Sequence, residues 1–503
     1  MKTFLKQKPM AIFILTCLLS QYILSQNKEI KGNHKIGLNG LLKIANKNSL
    51  DAFSAINKYQ LDYGVYRSFK SSLLPSLSFE TDPLTYKSSV VQRYDSQLNQ
   101  DVYRNVKTLN SSAGLTLSQS ILETGGTVSL NSTFNKLTNY TNGVINRFNI
   151  VPINISLNQP IWAFNRLKWM DKTANLKYEK AKKELIFHMQ SINVKAVDYF
   201  FRWLLAQRKK EIAIQKEETA KRLFKIAQKR YKIGSIEKND LLNLELEVFI
   251  ARNEVTILSN KMVQTKKELE LFLREDLSNY DKPYFEESLL GIKIKKSHAL
   301  DLYRKNNPTF LDLGIKKIEA ERDLDKTIKD NLFDLSLTAS YGFNQQSEVF
   351  SEAYNDLLKQ ERIAIRFKIP ILDWGERKRN RKMAKRNKQF KDLDLEQEET
   401  RLIQDLASKI LEFNLQEELI FVAKRASQVA KESYEITEQR FLLGNVDLLR
   451  LTSSLKAWQS TNENYISKLS NYWKYYYEIQ QLTLFDYKKK RELNIDFEKG
   501  ILD

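Results

Sequence analysis

Two stretches of this chain contain no proline and one glycine each: residues 163–282 with Gly234, and residues 376–499 with Gly444. Nothing in them stops a helix except that glycine, so each reads as a helical hairpin turning at its glycine. Residues 163–232 would make about 105 Å of helix and residues 376–442 about 100 Å, at 1.5 Å per residue. Helices of that length do not form the core of a globule. Apolar seams such as Leu223, Ile226, Ala227 and Ile233, flanked by Lys, Arg and Glu, mark them as coiled-coil material.

The two stretches belong to an internal duplication. Gln159-Pro160-Ile161-Trp162 matches Ile369-Pro370-Ile371-Leu372, and Arg230-Tyr231-Lys232-Ile233-Gly234 matches Arg440-Phe441-Leu442-Leu443-Gly444, both at an offset of 210. Lys47-Asn48 matches Lys305-Asn306, and Leu74-Pro75-Ser76-Leu77-Ser78 matches Leu332-Phe333-Asp334-Leu335-Ser336, both at 258. The change from 258 to 210 places 48 extra residues in the first half, between Leu74 and Pro160. The chain divides accordingly into a first repeat, 26–290, a second, 291–490, and a tail, 491–503.

Each repeat opens with a helical pattern, 38–73 and 302–331, followed by a β segment, 75–160 and 332–370. In the second, Leu335, Leu337, Ala339, Tyr341 and Phe343 alternate with small polar residues. Ile363, Ile365, Phe367 and Ile369 alternate with Arg362, Ala364, Arg366 and Lys368. Strands of about nine residues with one apolar side suit a membrane barrel and equally a soluble antiparallel sheet with one wet face. In the first, Leu77-Ser78-Phe79, Leu115-Thr116-Leu117, Val128-Ser129-Leu130 and 153–157 carry the pattern, with a turn signal at Gly125-Gly126. The extra 48 residues fit a surface loop or an added hairpin. The helical hairpins then run over 163–282 and 376–488.

Lys2, Lys6 and Lys8, an apolar run from Met10 to Leu19 and Ser25 occur in the order of a secretory signal peptide, residues 1–25. A buried N-terminal helix is the alternative. Removing the three lysines lowers the formal charge from +20 to +17 and leaves no cysteine, since Cys17 is the only one. No later run reaches eighteen apolar residues, so an exported chain that enters a membrane must do so as a closed barrel. His34, His188 and His298 are scattered, and no nucleophile, phosphate-loop or metal spacing stands out. No enzyme and no cofactor are expected.

The ordered set of landmarks resembles the TolC family of outer-membrane efflux proteins over residues 36–488. It comprises Leu74-Pro75, Gln159-Pro160-Ile161-Trp162, Ile369-Pro370-Ile371-Leu372-Asp373-Trp374-Gly375-Glu376-Arg377, the Arg-aromatic-x-x-Gly turns and Asp240-Leu241-Leu242. Asn471-Tyr472-Trp473 through Leu482-Thr483-Leu484 is similar to Bacteroidetes-type members. The resemblance implies an α+β membrane protein and a homotrimer. Each protomer would give four strands to one twelve-stranded transmembrane β-barrel and its helices to one periplasmic coiled-coil tube. Four strands cannot close a barrel alone, which makes oligomerisation a physical demand.

The activity this resemblance implies is that of a passive exit duct in the outer membrane. It would be opened by a periplasmic adaptor (membrane fusion protein) and an inner-membrane RND or ABC transporter. Small-molecule efflux and type I secretion stay open as its service. By the same resemblance Tyr231, Gly234, Phe441 and Gly444 would form adaptor-contacting tip turns; the alternative is that they only turn the chain. Family members often carry an aspartate six residues past each glycine. Asp240 fits, whereas Arg450 stands at the second position, with Asp447 nearby. Asp240 and Arg450 could form a charge-paired gate or be two unrelated solvated charges. Arg362, Arg366 and Lys368 should face the barrel lumen if their apolar neighbours face lipid. The basic run from Arg377 to Arg386 reads as a solvated helix face rather than a nucleic-acid site. The competing class is a basic coiled-coil scaffold or nucleic-acid-binding protein inside the cell.

Overall fold

The computed structural model describes residues 34–97, 99–141, 143–285 and 289–495. The expected signal peptide and residues 496–503 of the tail lie outside them. The chain runs β1 (His34–Gly37), α1 (Leu38–Asn48), α2 (Leu50–Ser72), β2 (Ser76–Asp95), β3 (Gln100–Ser120), β4 (Thr127–Asn139), β5 (Ile145–Ile161), α3 (Arg166–Lys232) and α4 (Lys238–Leu273). It continues through β6 (Tyr280–Tyr284), α5 (Lys296–Asn306), α6 (Pro308–Asp330), β7 (Asp334–Ser347), β8 (Leu358–Lys368), α7 (Glu376–Leu442) and α8 (Leu448–Thr483), ending in a short ribbon of β9 (Phe485–Asp486) and β10 (Arg491–Glu492). Among the described residues, no helix is long and apolar enough to cross a membrane.

The duplication extends to element boundaries. α3 and α7 have 67 residues each, and α4 and α8 have 36 each. The expected single helix over 38–73 is two helices, because Ser49 accepts the Ala52 amide at 3.2 Å and restarts the chain. Asn307 does the same in the second half, accepting the Thr309 amide at 2.8 Å with Pro308 as the first helical residue.

The chain packs as two compact units, each drawing on both repeats, so the division by packing differs from the division by sequence. One holds the described residues up to Phe53, Ser191–Gly291 and Phe413–Tyr477; the other holds Ser54–Gln190, Ile292–Glu412 and the chain from Glu478. The first is built on fully buried Phe200, Trp203, Phe413 and Tyr472. There the Tyr472 hydroxyl accepts the Leu290 amide at 3.0 Å, and its ring lies 5.0 Å from that of Phe413. A parallel β1–β6 pair belongs to the same unit.

The second unit carries one six-stranded antiparallel sheet in the order β2-β3-β4-β5-β7-β8. The expectation of four strands is therefore corrected to six. The extra residues of the first half are an added hairpin, with β2 and β3 paired from Ser76↔Ser118 to Asp95↔Gln100. The alternation read at Leu77-Ser78-Phe79 belongs to β2, and a bulge interrupts it midway, where Pro83 and Leu84 together oppose Ser111; the count of four came from the resemblance alone.

Candidate functional site: the sheet faces and the helix-to-helix turns

Side chains along the sheet sort by the period of two. Leu77, Leu117, Leu130, Ile155 and Tyr341 stand in one cross-strand row, and all are exposed. Val128, Leu157, Ala339 and Ile363 form another, and Ile365 and Phe367 continue the band on β8, 71% and 56% exposed. An apolar band this wide, left uncovered across all six strands, is a lipid-facing surface. It contains the residues whose alternation the sequence displays.

The opposite face is polar. Ser76, Ser118, Ser129, Ser156, Ser340 and Arg362 make one continuous row. Ser129 and Ser156 share a hydrogen bond of 2.6 Å, and Asn131 donates to Ser129 at 3.3 Å. Arg362, Arg366 and Lys368 lie on this face, opposite Ser340, Ser336 and Asp334. Gly342 is required where β5 bulges between Ile150 and Ile153, since a Cβ there would stand 2.5 Å from the Ile153 carbonyl oxygen.

The two helix-to-helix turns are alike. Gly234 and Gly444 have φ of +72° and +81°. Gly234 N–H donates to the Tyr231 carbonyl at 3.0 Å and Ser235 N–H to the Arg230 carbonyl at 2.9 Å. Gly444 and Asn445 repeat both bonds onto Phe441 and Arg440 at the same distances. This double closure needs a left-handed residue, which glycine adopts without a Cβ clash. Tyr231 and Phe441 thus supply the carbonyls that close the turns.

The turns are held together by Leu223, Ala227, Leu244, Tyr434, Leu451 and Leu455, with Phe441 packed against them. Burial pushes the Tyr434 phenol above its ordinary pKa. Arg230 Nη2 donates to the Leu442 carbonyl at 3.0 Å, closing the end of α7, and Glu438 accepts from Arg222 and from Thr219. A cleft of about 350 Å³ is lined by Arg230, Asp240, Phe441, Gly444 and Asp447, among others.

The expected gate residues occupy different settings. Asp240 sits exposed in the first turn of α4 and Arg450 exposed in the first turn of α8; among the described residues no ion pair joins them within the chain. Asp447 Oδ1 accepts the Arg450 amide at 2.8 Å and so caps α8. Glu237, at the equivalent position before α4, makes no side-chain cap. Ile233, expected in the apolar seam with Leu223 and Ala227, instead lies past the end of α3 and is 78% exposed, as its counterpart Leu443 is at 74%; sequence reasoning gives neither a role at the turns. Their common offset of 210 was the available signal.

The fold is that of solved outer-membrane channels. The Campylobacter jejuni CmeC outer membrane channel superposes with a TM-score of 0.65 at 16% identity, covering 92% of this chain and 88% of that one. VceC of Vibrio cholerae gives 0.61 at 11% identity, with 91% and 97% covered. The open state of the Neisseria gonorrhoeae MtrE channel gives 0.56 at 14% identity, with 91% of each covered. No curated protein matches the chain in sequence. The family model described as outer membrane efflux protein matches residues 105–273 and 304–482, most of the chain. With the lipid-facing band and the twinned helical hairpins, this match shows that the chain belongs to the outer membrane efflux protein family.

Proposed function

We propose that the protein is the passive outer-membrane exit duct of a tripartite export system. It works as a homotrimer whose sheets close one barrel and whose helices line one periplasmic tunnel. The observation that carries this reading is the six-stranded sheet with one apolar and one polar face and, among the described residues, both edges open. A sheet of this kind satisfies its backbone in lipid only by joining further copies. The polar face, with Arg362, Arg366 and Lys368, then lines the lumen.

The turns at Gly234 and Gly444 are the docking end for a periplasmic adaptor, which couples the duct to an inner-membrane RND or ABC transporter. Ile233 and Leu443 offer it two matched apolar contacts. Asp240 and Arg450 stand in the first turns behind them, where copies from neighbouring protomers can pair and close the entrance.

The test is the native mass of protein extracted from outer-membrane fractions in mild detergent, corrected for bound detergent. Three protomers found only in that fraction support the duct. A soluble monomer or dimer refutes it and returns the basic scaffold reading.

A further inference from the structure

Among the described residues the sheet has two unpartnered edges, β2 and β8, and the apolar band places both in hydrocarbon. Open edges are not tolerated there, and six strands are too few to close on themselves. The stagger of the sheet says what covers them. The row that starts on the first residue of β2, Ser76, leaves β8 at Arg362, six residues before its end at Lys368. Suppose Ser76 of a second copy lies opposite Lys368. The stagger is then six residues per six strands, or about 20 Å against about 29 Å. That is a strand tilt of about 35°, the tilt of closed barrels.

This register also matches side chains. Leu77 meets Phe367, Phe79 meets Ile365 and Thr81 meets Ile363, all on the apolar face. A slip of one residue would set apolar against polar along the whole edge. On the polar face Asp82 comes opposite Arg362, and Glu80 comes diagonal to Arg362 and Arg366. Direction agrees as well: six antiparallel strands leave β8 opposed to the next β2.

We propose that the β2 edge of one copy pairs with the β8 edge of a second copy of this chain, in the register that sets Asp82 against Arg362. This rests on the trimeric reading above: three copies of six strands make an eighteen-stranded barrel. Since diameter grows roughly linearly with strand number, it is about half again as wide as one of twelve. Arg362 and Arg366 then act as subunit contacts neutralised by acids, not as a free cationic lining.

The test is oxidative cross-linking of full-length protein in outer membranes, with Cys17 replaced by Ser. Thr81→Cys with Ile363→Cys should give covalent dimers and trimers on SDS gels, whereas Thr81→Cys with Ala364→Cys should not. A trimeric native mass without the first link overturns the pairing while the duct reading stands. So does a Val128→Cys link to β8, which would mean that β4 closes the barrel and the hairpin lies outside it. A link without a trimeric mass overturns the eighteen-strand count. As a second readout, Asp82→Arg and Arg362→Asp should each lower the temperature at which the SDS-resistant trimer dissociates, and the double exchange should restore it. Failure of the double exchange to restore it overturns the charge register.

Discussion

Asp447 can be tested as a helix cap separately from its charge. Its Oδ1 accepts the Arg450 amide at 2.8 Å at the start of α8. Removing the acceptor with Asp447→Ala should cost about 1 kcal/mol, within a range of roughly 0.5–2. At room temperature that is about a fivefold rise in opening of the first helical turn. Asp447→Asn keeps an oxygen in place and ranks as a comparable cap; it loses only the favourable charge at the helix start, a few tenths of a kcal/mol. Hydrogen exchange of peptides covering residues 447–455 should therefore quicken about fivefold in Asp447→Ala and less than twofold in Asp447→Asn. The equivalent Glu237 makes no side-chain cap, so Glu237→Asp should slow exchange at the start of α4. Equal exchange in Asp447→Ala and Asp447→Asn would refute the argument. If Asp447→Asn altered closed-state conductance in planar bilayers, the carboxylate would be acting at the entrance through its charge.

Gly342→Ala should destabilise the sheet by about 1–3 kcal/mol, because its Cβ would meet backbone 2.5 Å away; the heat-modifiable shift on SDS gels reads this. Gly234→Ala and Gly444→Ala should each cost about 1–2 kcal/mol from the left-handed backbone alone, measured by thermal denaturation in detergent. Ile233→Asp with Leu443→Asp should weaken adaptor pull-down while leaving trimer mass unchanged. Burial works against ionisation of Asp312, yet hydrogen bonds from Lys180 at 2.6 Å and Lys316 at 2.8 Å hold its carboxyl below the usual range. A depressed carboxylate stabilises above its unfolded pKa of about 3.9 and loses that contribution as pH falls through the folded value. The Tm gap between the natural protein and Asp312→Asn should thus be full at neutral pH and shrink below about pH 4.

Legibility tracked how local each determinant was. The helical hairpins were readable because a lone glycine in more than a hundred proline-free residues leaves one place to turn, and the structure turns at Gly234 and Gly444. The break at Ser49 was less visible, since a single cap interrupts an otherwise continuous apolar pattern. The alternating segments of all six strands are legible in the sequence, and the count of four came from the resemblance; which segments pair, and that the extra residues form a hairpin, is decided by the sheet. Asp447 stood out as an acid near a turn, but only coordinates distinguish a cap from a gate.

By itself, then, the sequence determined the duplication, the helix lengths, the turn glycines and the two-faced strands. Each is set by dihedral preference or by periodicity within a few residues. The tertiary structure alone decided the cross-strand register, which puts Ser76 in line with Arg362. It also decided the clasp of Arg230 on the end of α7 and the packing of pieces of both repeats into each unit. Those depend on which distant residues meet, and pairing energies between strands and helices far apart in the chain leave no periodic trace in it.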